Sequence, residues 1–296
     1  MTRPPTIRRQ RIPSYTSYEP GAGELGRHIH HDDRSWAYRY DTSALTLVTT
    51  VHQRRTPILD QGDLGSCTGN AGIGTLGTDP FYGTLPAGTI LDETAAVEVY
   101  SAATRLDDYS GSYPPDDTGS DGLSVAKVLK ARGWISGYQH TFSPADFRLA
   151  LTATPVMVGI NWYGSFDAPD SSGRIRITPG ASVRGGHEVE AFAVDVERRL
   201  IGLDNSWGPG WGLHGTCWVG WDDADRLLGE QGDATILTPL SQPAPVPDPV
   251  PVVVADAADL DLWSAETRAW AFARHCGANA EAARAVQAWR TRKGLS

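Results

Sequence analysis

The chain is poor in sulfur: its 296 residues include three cysteines and two methionines. Cys67, Cys217 and Cys276 are odd in number and lie far apart in the sequence. Small secreted folds that depend on disulfides have an even, closely spaced set of cysteines. We therefore expect no disulfide framework and synthesis in a reducing compartment.

Long apolar runs and concentrated positive charge are also missing. No stretch approaches the ~20 apolar residues that a membrane-spanning helix needs, so no span is predicted. The basic N-terminus continues into "IPSYTSYEPGAGELG" rather than an apolar segment, which predicts a chain made in the cytoplasm without a signal peptide. The formal net charge is −9 and no basic stripe follows "RPPTIRRQR", so nucleic-acid binding is not expected.

The composition divides the chain into four segments. Residues 1–50 are rich in Pro, Arg, His and Asp without a regular period, which predicts an irregular arm packed on the main body. Residues 51–240 form the main domain, and residues 241–256 form a Pro-rich, extended linker. Residues 257–296 place Ala, Trp and other apolar residues at helical intervals, which predicts a small helical hairpin that docks on another surface.

The arm contains three closely spaced histidines, His28, His30 and His31, a residue type that often binds metals. No cysteine or paired carboxylate nearby completes a tetrahedral set of ligands. We therefore predict neither a metal site nor a cofactor.

Hydrophobic periodicity changes near the middle of the main domain. The first half contains helical patterns that begin at Cys67 and extend over 92–106 and 123–133. The second half contains strand patterns at 154–163, 185–197, 199–207 and 215–222. Helices followed by strands predict an α+β architecture with two subdomains that meet at a cleft.

Cys67 lies in "DQGDLGSCTGNAG", where Ser66 is a suitable N-cap and places the thiol in the first turn of a helix. Unpaired N–H groups at that end of a helix favour a thiolate and lower the pKa of the thiol. A cysteine nucleophile also needs a base and a group that orients the base. His187 and Asn205 supply these residue types 120 and 138 residues after Cys67, in "GGHEVEAFAV" and "LDNSWGPGWGLHG".

These local sequences resemble those of the papain-like cysteine peptidases of family C1. The matching residues, within residues 55–237, are Gln61, Gly65-Ser66-Cys67, His187 and Asn205-Ser206-Trp207-Gly208. The resemblance implies a papain-like α+β fold with a helical left half, an antiparallel β-barrel-like right half and a cleft between them, plus a small C-terminal helical appendage. It also implies a thiol endopeptidase that cleaves protein or peptide substrates through an acyl-enzyme intermediate.

The resemblance assigns a role to each matching residue. Cys67 would be the nucleophile, and His187 would be the base that takes its proton. Asn205 would hold the imidazole, while Gln61 would donate a hydrogen bond to the oxyanion. The residues implied in substrate binding are Gly65, Ser66, Gly186 and Trp207, of which Trp207 would also shield the bond between His187 and Asn205 from water.

Four positions depart from the secreted members of the family. Leu64 stands where those members carry a disulfide cysteine, and Thr68 stands where an aromatic residue is usual; the resulting form is similar to the bacterial and viral branch. Glu188 and Glu190 follow His187 on its predicted strand, where small or apolar residues are usual. Strand alternation predicts that both carboxylates point away from the face of His187, into solvent.

The arm and the remaining cysteines carry further expectations. Only 66 residues precede Cys67, and they lack helical periodicity, so we expect no zymogen with a long helical propeptide. Cys217 is predicted to be a core strand residue, and Cys276 is predicted to be inert.

The tail, residues 257–296, is weakly similar to the C-terminal segments of virion proteins from phages of actinobacteria. This similarity suggests virion or other assembly proteins as partners, for example at a phage tail. Two alternatives to a protein-cleaving enzyme remain: a hydrolase of peptidoglycan cross-links, and a catalytically idle virion protein with a papain-like fold. Gln61 and the Asn-Ser-Trp segment favour the peptidase over the cell-wall hydrolase.

Overall fold

Residues 24–240 are described by a computed structural model of the chain. Residues 1–23 and 241–296 lie outside the described part. The linker, the helical tail with Cys276 and the expected virion-docking surface fall in that second range and stay predictions.

Five α-helices and three short 3-10 helices lie within residues 24–240. The α-helices are α1 (Cys67–Leu76), α2 (Glu93–Ala103), α3 (Gly122–Ala131), α4 (Pro144–Ala153) and α5 (Trp221–Gly229), and the 3-10 helices span Asp33–Tyr38, Tyr82–Thr84 and Gly164–Phe166. Asp92, Asp121 and Ser143 cap α2, α3 and α4 by accepting a hydrogen bond from a backbone N–H in the first turn. None of the helices in this part of the chain is long and apolar enough to cross a membrane.

Eight strands form one sheet within the described residues. They are β1 (Thr50–Val51), β2 (Gly137–Thr141), β3 (Val156–Tyr163), β4 (Arg174–Ile175), β5 (Val183–Asp195), β6 (Leu200–Asp204), β7 (Thr216–Gly220) and β8 (Asp233–Thr238). The order is β2-β8-β3-β5-β6-β7-β4, with β1 paired to β5. Only the β4–β7 pair is parallel. The long central strand β5 therefore contacts β1, β3 and β6.

The α+β class predicted from the sequence is confirmed. The three predicted helices and the four predicted strands form near their expected positions. The sequence analysis assigned no helix or strand to the segments that form α4, α5, β2 and β8.

The interior of the described part contains three apolar clusters, of which two are large. The first lies among α1, α2 and α3 and includes Ile73, Val99 and Leu129. The second lies between the sheet and helices α4 and α5, and includes Trp162 and Ile201. Helix α1 is buried along its whole length and contacts both α2 and β5. Its N-terminus is thereby held at the junction between the helical half and the β half.

Candidate active site

Cys67 is the first residue of α1 and is fully buried. Its sulfur lies within hydrogen-bonding reach of two backbone N–H groups, those of Glu188 and Gly26. Ser66 occupies the N-cap position, but its hydroxyl donates to Asn70 Oδ1 at 2.9 Å instead of capping the helix. The predicted N-cap position of Ser66 and the predicted place of the thiol in the first turn are confirmed, although the Ser66 side chain makes no capping hydrogen bond.

His187 lies on β5, one residue before Glu188, whose backbone contacts the thiol. The His187 Nε2 atom is 2.7 Å from Asn205 Oδ1, at the end of β6. Asn205 Oδ1 also accepts the backbone N–H of Ser206 at 2.8 Å, which identifies it as the acceptor oxygen. His187 Nε2 therefore carries a proton, and Nδ1 is the basic nitrogen of the neutral ring.

The Nδ1 atom of His187 is buried and has no hydrogen-bond partner among residues 24–240. A buried polar atom without a partner is costly, and such atoms are frequent at reactive sites. Nδ1 is thus the nitrogen left to exchange a proton with a thiol.

Two tryptophan rings contact the imidazole of His187, and a third packs against those two. The Trp207 ring centroid lies 5.2 Å from it, and the Trp162 ring meets it edge-on at 4.8 Å. Trp211 packs against both of these tryptophans, at 5.6 and 6.0 Å. Trp207 was expected here, whereas Trp162 was not, because only the pairing of β3 with β5 brings Trp162 beside His187.

Gln61 is buried beside the Asn205–Ser206 segment. Its backbone N–H donates to Ser206 O at 2.8 Å, and its side-chain oxygen accepts from the Ser206 hydroxyl. Its Nε2 donates one hydrogen to Leu64 O at 2.7 Å. Since a primary amide has two N–H donors, one remains for a further acceptor.

Residues 24–28 of the arm run through the cleft. The Arg27 backbone N–H donates to Gly186 O at 3.0 Å. Ser120 pairs with the arm on the opposite side: its N–H donates to Gly26 O at 2.8 Å, and its carbonyl accepts from His28 N–H at 2.7 Å. The arm is held between the two halves of the domain by backbone hydrogen bonds.

Three of the four residues predicted to bind substrate contact this arm. Gly186 bonds Arg27, and the Trp207 indole N–H donates to Glu24 O at 3.2 Å. Gly65 lies so close to Gly26 that a Cβ on Gly26 would be 1.9 Å from the Gly65 carbonyl oxygen. The fourth, Ser66, is fully buried below the cleft.

Part of the arm lies directly over Cys67. The Gly26 backbone N–H is within hydrogen-bonding reach of the thiol, while the Gly26 carbonyl oxygen accepts from the Ser120 N–H. Because Cys67 has no exposed surface, a substrate reaches the thiol only when this part of the arm moves.

Burial under the arm governs the protonation of the site. Burial raises the pKa of the Cys67 thiol to about 12, although two backbone N–H groups oppose the shift. Burial also lowers the pKa of His187 to about 4, against the hydrogen bond with Asn205. The lowered thiol pKa expected from the helix N-terminus is wrong for the covered site, because loss of water disfavours both charged forms.

Glu188 and Glu190 are not exposed, which corrects the prediction from strand alternation. Their exposed fractions are 0% and 1%. Glu190 accepts a hydrogen bond from Arg54 Nη1 at 2.7 Å, in a buried cluster that also contains Asp204. Glu188 lies beside the side chain of Arg27. Alternation correctly separates them from His187, but their face is covered by protein instead of solvent.

Burial and contacts also describe the surroundings of Cys217 and of the histidines of the arm. Cys217 is a buried residue of β7, as predicted. His28 stacks on Tyr109 at 4.2 Å, and His30 Nδ1 is 3.1 Å from Asp121 Oδ2. Within residues 24–240 no group of three or more His, Cys, Asp or Glu residues is arranged to hold a metal ion.

The fold is similar to solved structures of cysteine proteases. Xylellain, a cysteine protease from Xylella fastidiosa, aligns with a TM-score of 0.55 and 18% identity over 75% of this chain and 99% of that chain. Digestive procathepsin L 3 from the larval midgut of Tenebrio molitor aligns with a TM-score of 0.51 and 16% identity over 73% of this chain and 75% of that chain. No family model and no curated protein matches the sequence. The chain therefore has the papain-like fold.

Proposed function

We propose that this protein is a cysteine endopeptidase that hydrolyses peptide bonds of polypeptides. The observation that carries the proposal is the orientation of His187. Its Nε2 is fixed by Asn205 at 2.7 Å, and its Nδ1 is left without a partner next to the backbone that contacts Cys67. A thiol, a base and a residue that orients the base are the groups that acyl transfer through a thioester requires.

The reaction would begin when a polypeptide replaces the arm in the cleft. His187 Nδ1 takes the proton of the Cys67 thiol, and the thiolate attacks the carbonyl carbon of the substrate. The imidazolium then gives its proton to the leaving amine, which separates as a thioester forms on Cys67. Water, deprotonated by His187, attacks the thioester and releases the carboxylic acid and the thiol.

The tetrahedral intermediates carry negative charge on the former carbonyl oxygen. The backbone N–H of Cys67 and the second amide N–H of Gln61 are suited to stabilise that oxyanion. Removal of one such donor costs about 2.7–4 kcal/mol of transition-state stabilisation. Trp162 and Trp207 exclude water from the bond between His187 and Asn205, which keeps the imidazole oriented.

The test is covalent labelling with an irreversible thiol-directed epoxide, followed by mass measurement of the intact protein. We expect one adduct on the wild type and on Cys217→Ala, which is the matched control, and none on Cys67→Ala. The Gly26→Ala variant, in which the arm no longer fits against Gly65, is labelled in parallel. If no variant forms an adduct, the protein is an idle member of the fold.

Substrate class is tested with casein and with purified cell wall. Cleavage of casein that is lost in Cys67→Ala would support the proposed endopeptidase. Activity on cell wall alone would instead support the peptidoglycan hydrolase. The bacterial and viral branch and the virion association through residues 257–296 remain predictions, and co-purification of the full chain with assembled phage particles would test the association.

A further inference from the structure

The side chain of Arg27 is buried in a pocket of the main domain. Its Nη2 forms an ion pair with Asp233 and donates to Gln231 O at 2.9 Å. Its Nε lies 4.0 Å from Glu188 Oε2. A charged side chain is buried only where opposite charge compensates the loss of water.

Two glycines make room for this side chain and for the carboxylate beside it. A Cβ on Gly159 would lie 2.4 Å from Arg27 Nε, and a Cβ on Gly122 would lie 2.5 Å from Glu188 Oε1. Any larger residue at Gly159 would close the space. Because Gly159, Gly122 and both carboxylates belong to the domain, the pocket is a feature of the domain and not of the arm.

The pocket is acidic apart from the arm. Among residues 24–240, Arg27 is the basic residue that forms ion pairs with Glu188 and Asp233. Burial, followed by the neighbouring Asp233 carboxylate, raises the pKa of Glu188 well above its ordinary value, and Arg27 opposes this shift. Without Arg27, two carboxyl groups would share the pocket without a cation.

The fit of Arg27 is incomplete. Neither carboxylate oxygen of Glu188 accepts a hydrogen bond, and neither Nε nor Nη1 of Arg27 donates one. Nε of Arg27 thus stays 4.0 Å from Glu188 Oε2, beyond hydrogen-bonding distance. A guanidinium placed roughly 1 Å closer would bring a donor within hydrogen-bonding distance of Glu188.

We propose that Glu188 and Asp233, above Gly159, form a specificity pocket that selects a basic side chain, arginine above all, in the polypeptide that the enzyme cleaves. This proposal rests on the proposed function. Arg27 of the arm occupies the place of the substrate side chain. Its unused hydrogen bonds make it a ligand that a better-fitting substrate displaces.

The first experiment measures binding to the pocket without requiring turnover. The full-length Arg27→Ala variant has an empty pocket, and its Cys67 is labelled with the epoxide in the presence of a synthetic peptide, AGELGRHIHH, which copies residues 22–31. The control peptide carries citrulline in place of arginine, so it keeps the shape and loses the charge. We expect the arginine peptide to protect Cys67 at a concentration at least about tenfold lower.

Further variants identify the groups responsible. Glu188→Gln and Asp233→Asn, each combined with Arg27→Ala, are expected to reduce the preference for arginine over citrulline. Glu98→Gln, an exposed residue on α2, is the matched control and should leave the preference unchanged. Thermal unfolding of each variant checks that it folds, and either carboxylate variant alone is sufficient for the comparison.

The second experiment measures substrate selection with peptide libraries that vary one position at a time, using the same Arg27→Ala protein. We expect kcat/KM to favour arginine, then lysine, at one position by at least about tenfold over leucine. Absence of any adduct on Cys67 would overturn the proposed function, and this inference with it. Labelling without protection by the arginine peptide would overturn the inference alone. Protection without a basic preference in the library would overturn it as well, since the pocket would then serve only to hold the arm.

Discussion

Two buried arginines contact the same strand, β5, but they differ in how many of their side-chain nitrogens donate a hydrogen bond. Arg54 contacts Glu190, and Arg27 contacts Glu188, two residues earlier. Arg54 donates to Glu190 at 2.7 Å and to Asp204 at 3.2 Å, and bonds two nearby backbone carbonyls. Arg27 comes from the arm and leaves two of its nitrogens without acceptors.

The comparison separates an ion pair that holds the fold together from one that holds a ligand. A buried charged group whose donors all have acceptors gains no hydrogen bonds by leaving its site. A buried charged group with unused donors does gain them. The cluster around Arg54 anchors the segment before Gln61 to β5 and β6. The pocket around Arg27 holds the arm over Cys67, where exchange for another polypeptide is useful.

The largest expected effect concerns stability. Arg54→Met would leave Glu190 and Asp204 buried without their cation, and we expect a loss of about 3–5 kcal/mol in the free energy of unfolding. Arg27→Ala should cost much less, because Asp233 is partly exposed and the raised pKa of Glu188 lets it take up a proton. Urea denaturation measures both. Arg55→Met, at a half-exposed ion pair with Asp79, is the control and should change stability by less than about 1 kcal/mol.

Equal losses in the free energy of unfolding for Arg54→Met and Arg27→Ala would contradict the distinction between the two ion pairs. In that case the arm would be as permanent a part of the fold as the segment that carries Arg54, and its exchange for a substrate would be untenable.

The next effect concerns the cover over Cys67. In Gly26→Ala the added methyl group meets the Gly65 carbonyl oxygen, so the arm must leave its position. We expect the rate of epoxide labelling to rise at least about tenfold, equivalent to about 1.4 kcal/mol of weakened arm binding. Gly83→Ala, where a Cβ meets nothing within 4 Å, is the matched control. An unchanged labelling rate in Gly26→Ala would show that the arm does not limit access to the thiol.

The last prediction concerns the difference between two variants in the pH dependence of their stability. Burial lowers the pKa of His187 from 6.5 to about 4 in the folded protein. The unfolded chain therefore binds more protons between these values, and the free energy of unfolding falls as the pH decreases from about 6.5 to about 4. Since the arm contributes to the burial, Gly26→Ala should flatten this slope relative to Gly83→Ala. Urea denaturation across the same pH range measures the slopes, and identical slopes would contradict a role of the arm in the burial of His187.

Local sequence was enough to find most of the candidate site. The frames around Gln61, Cys67, His187 and Asn205 are short, and each residue type has a role that its chemistry limits. The helix that begins at Cys67 and the strand that carries His187 could be predicted because their apolar positions repeat at a regular interval. The α+β class followed from the order of such segments along the chain.

The burial of these side chains and the identity of their contact partners could not be predicted in the same way. Alternation places Glu188 and Glu190 on one face of β5. It does not predict whether that face is exposed to water or covered by distant residues such as Arg54 and Arg27. Trp162 and Arg27 reach the site only through the packing of distant segments. The pKa of Cys67 illustrates the consequence: the helix N-terminus lowers it locally, yet the arm excludes water and burial raises it to about 12.

The sequence by itself therefore determined which residues are candidates for the proposed chemistry, because those choices depend on residue type and local spacing. Only the tertiary structure decided what covers Cys67, which carboxylates lie without a permanent cation and how the imidazole is enclosed. These properties depend on the removal of water by residues that are distant in the chain, and desolvation is a property of the assembled fold.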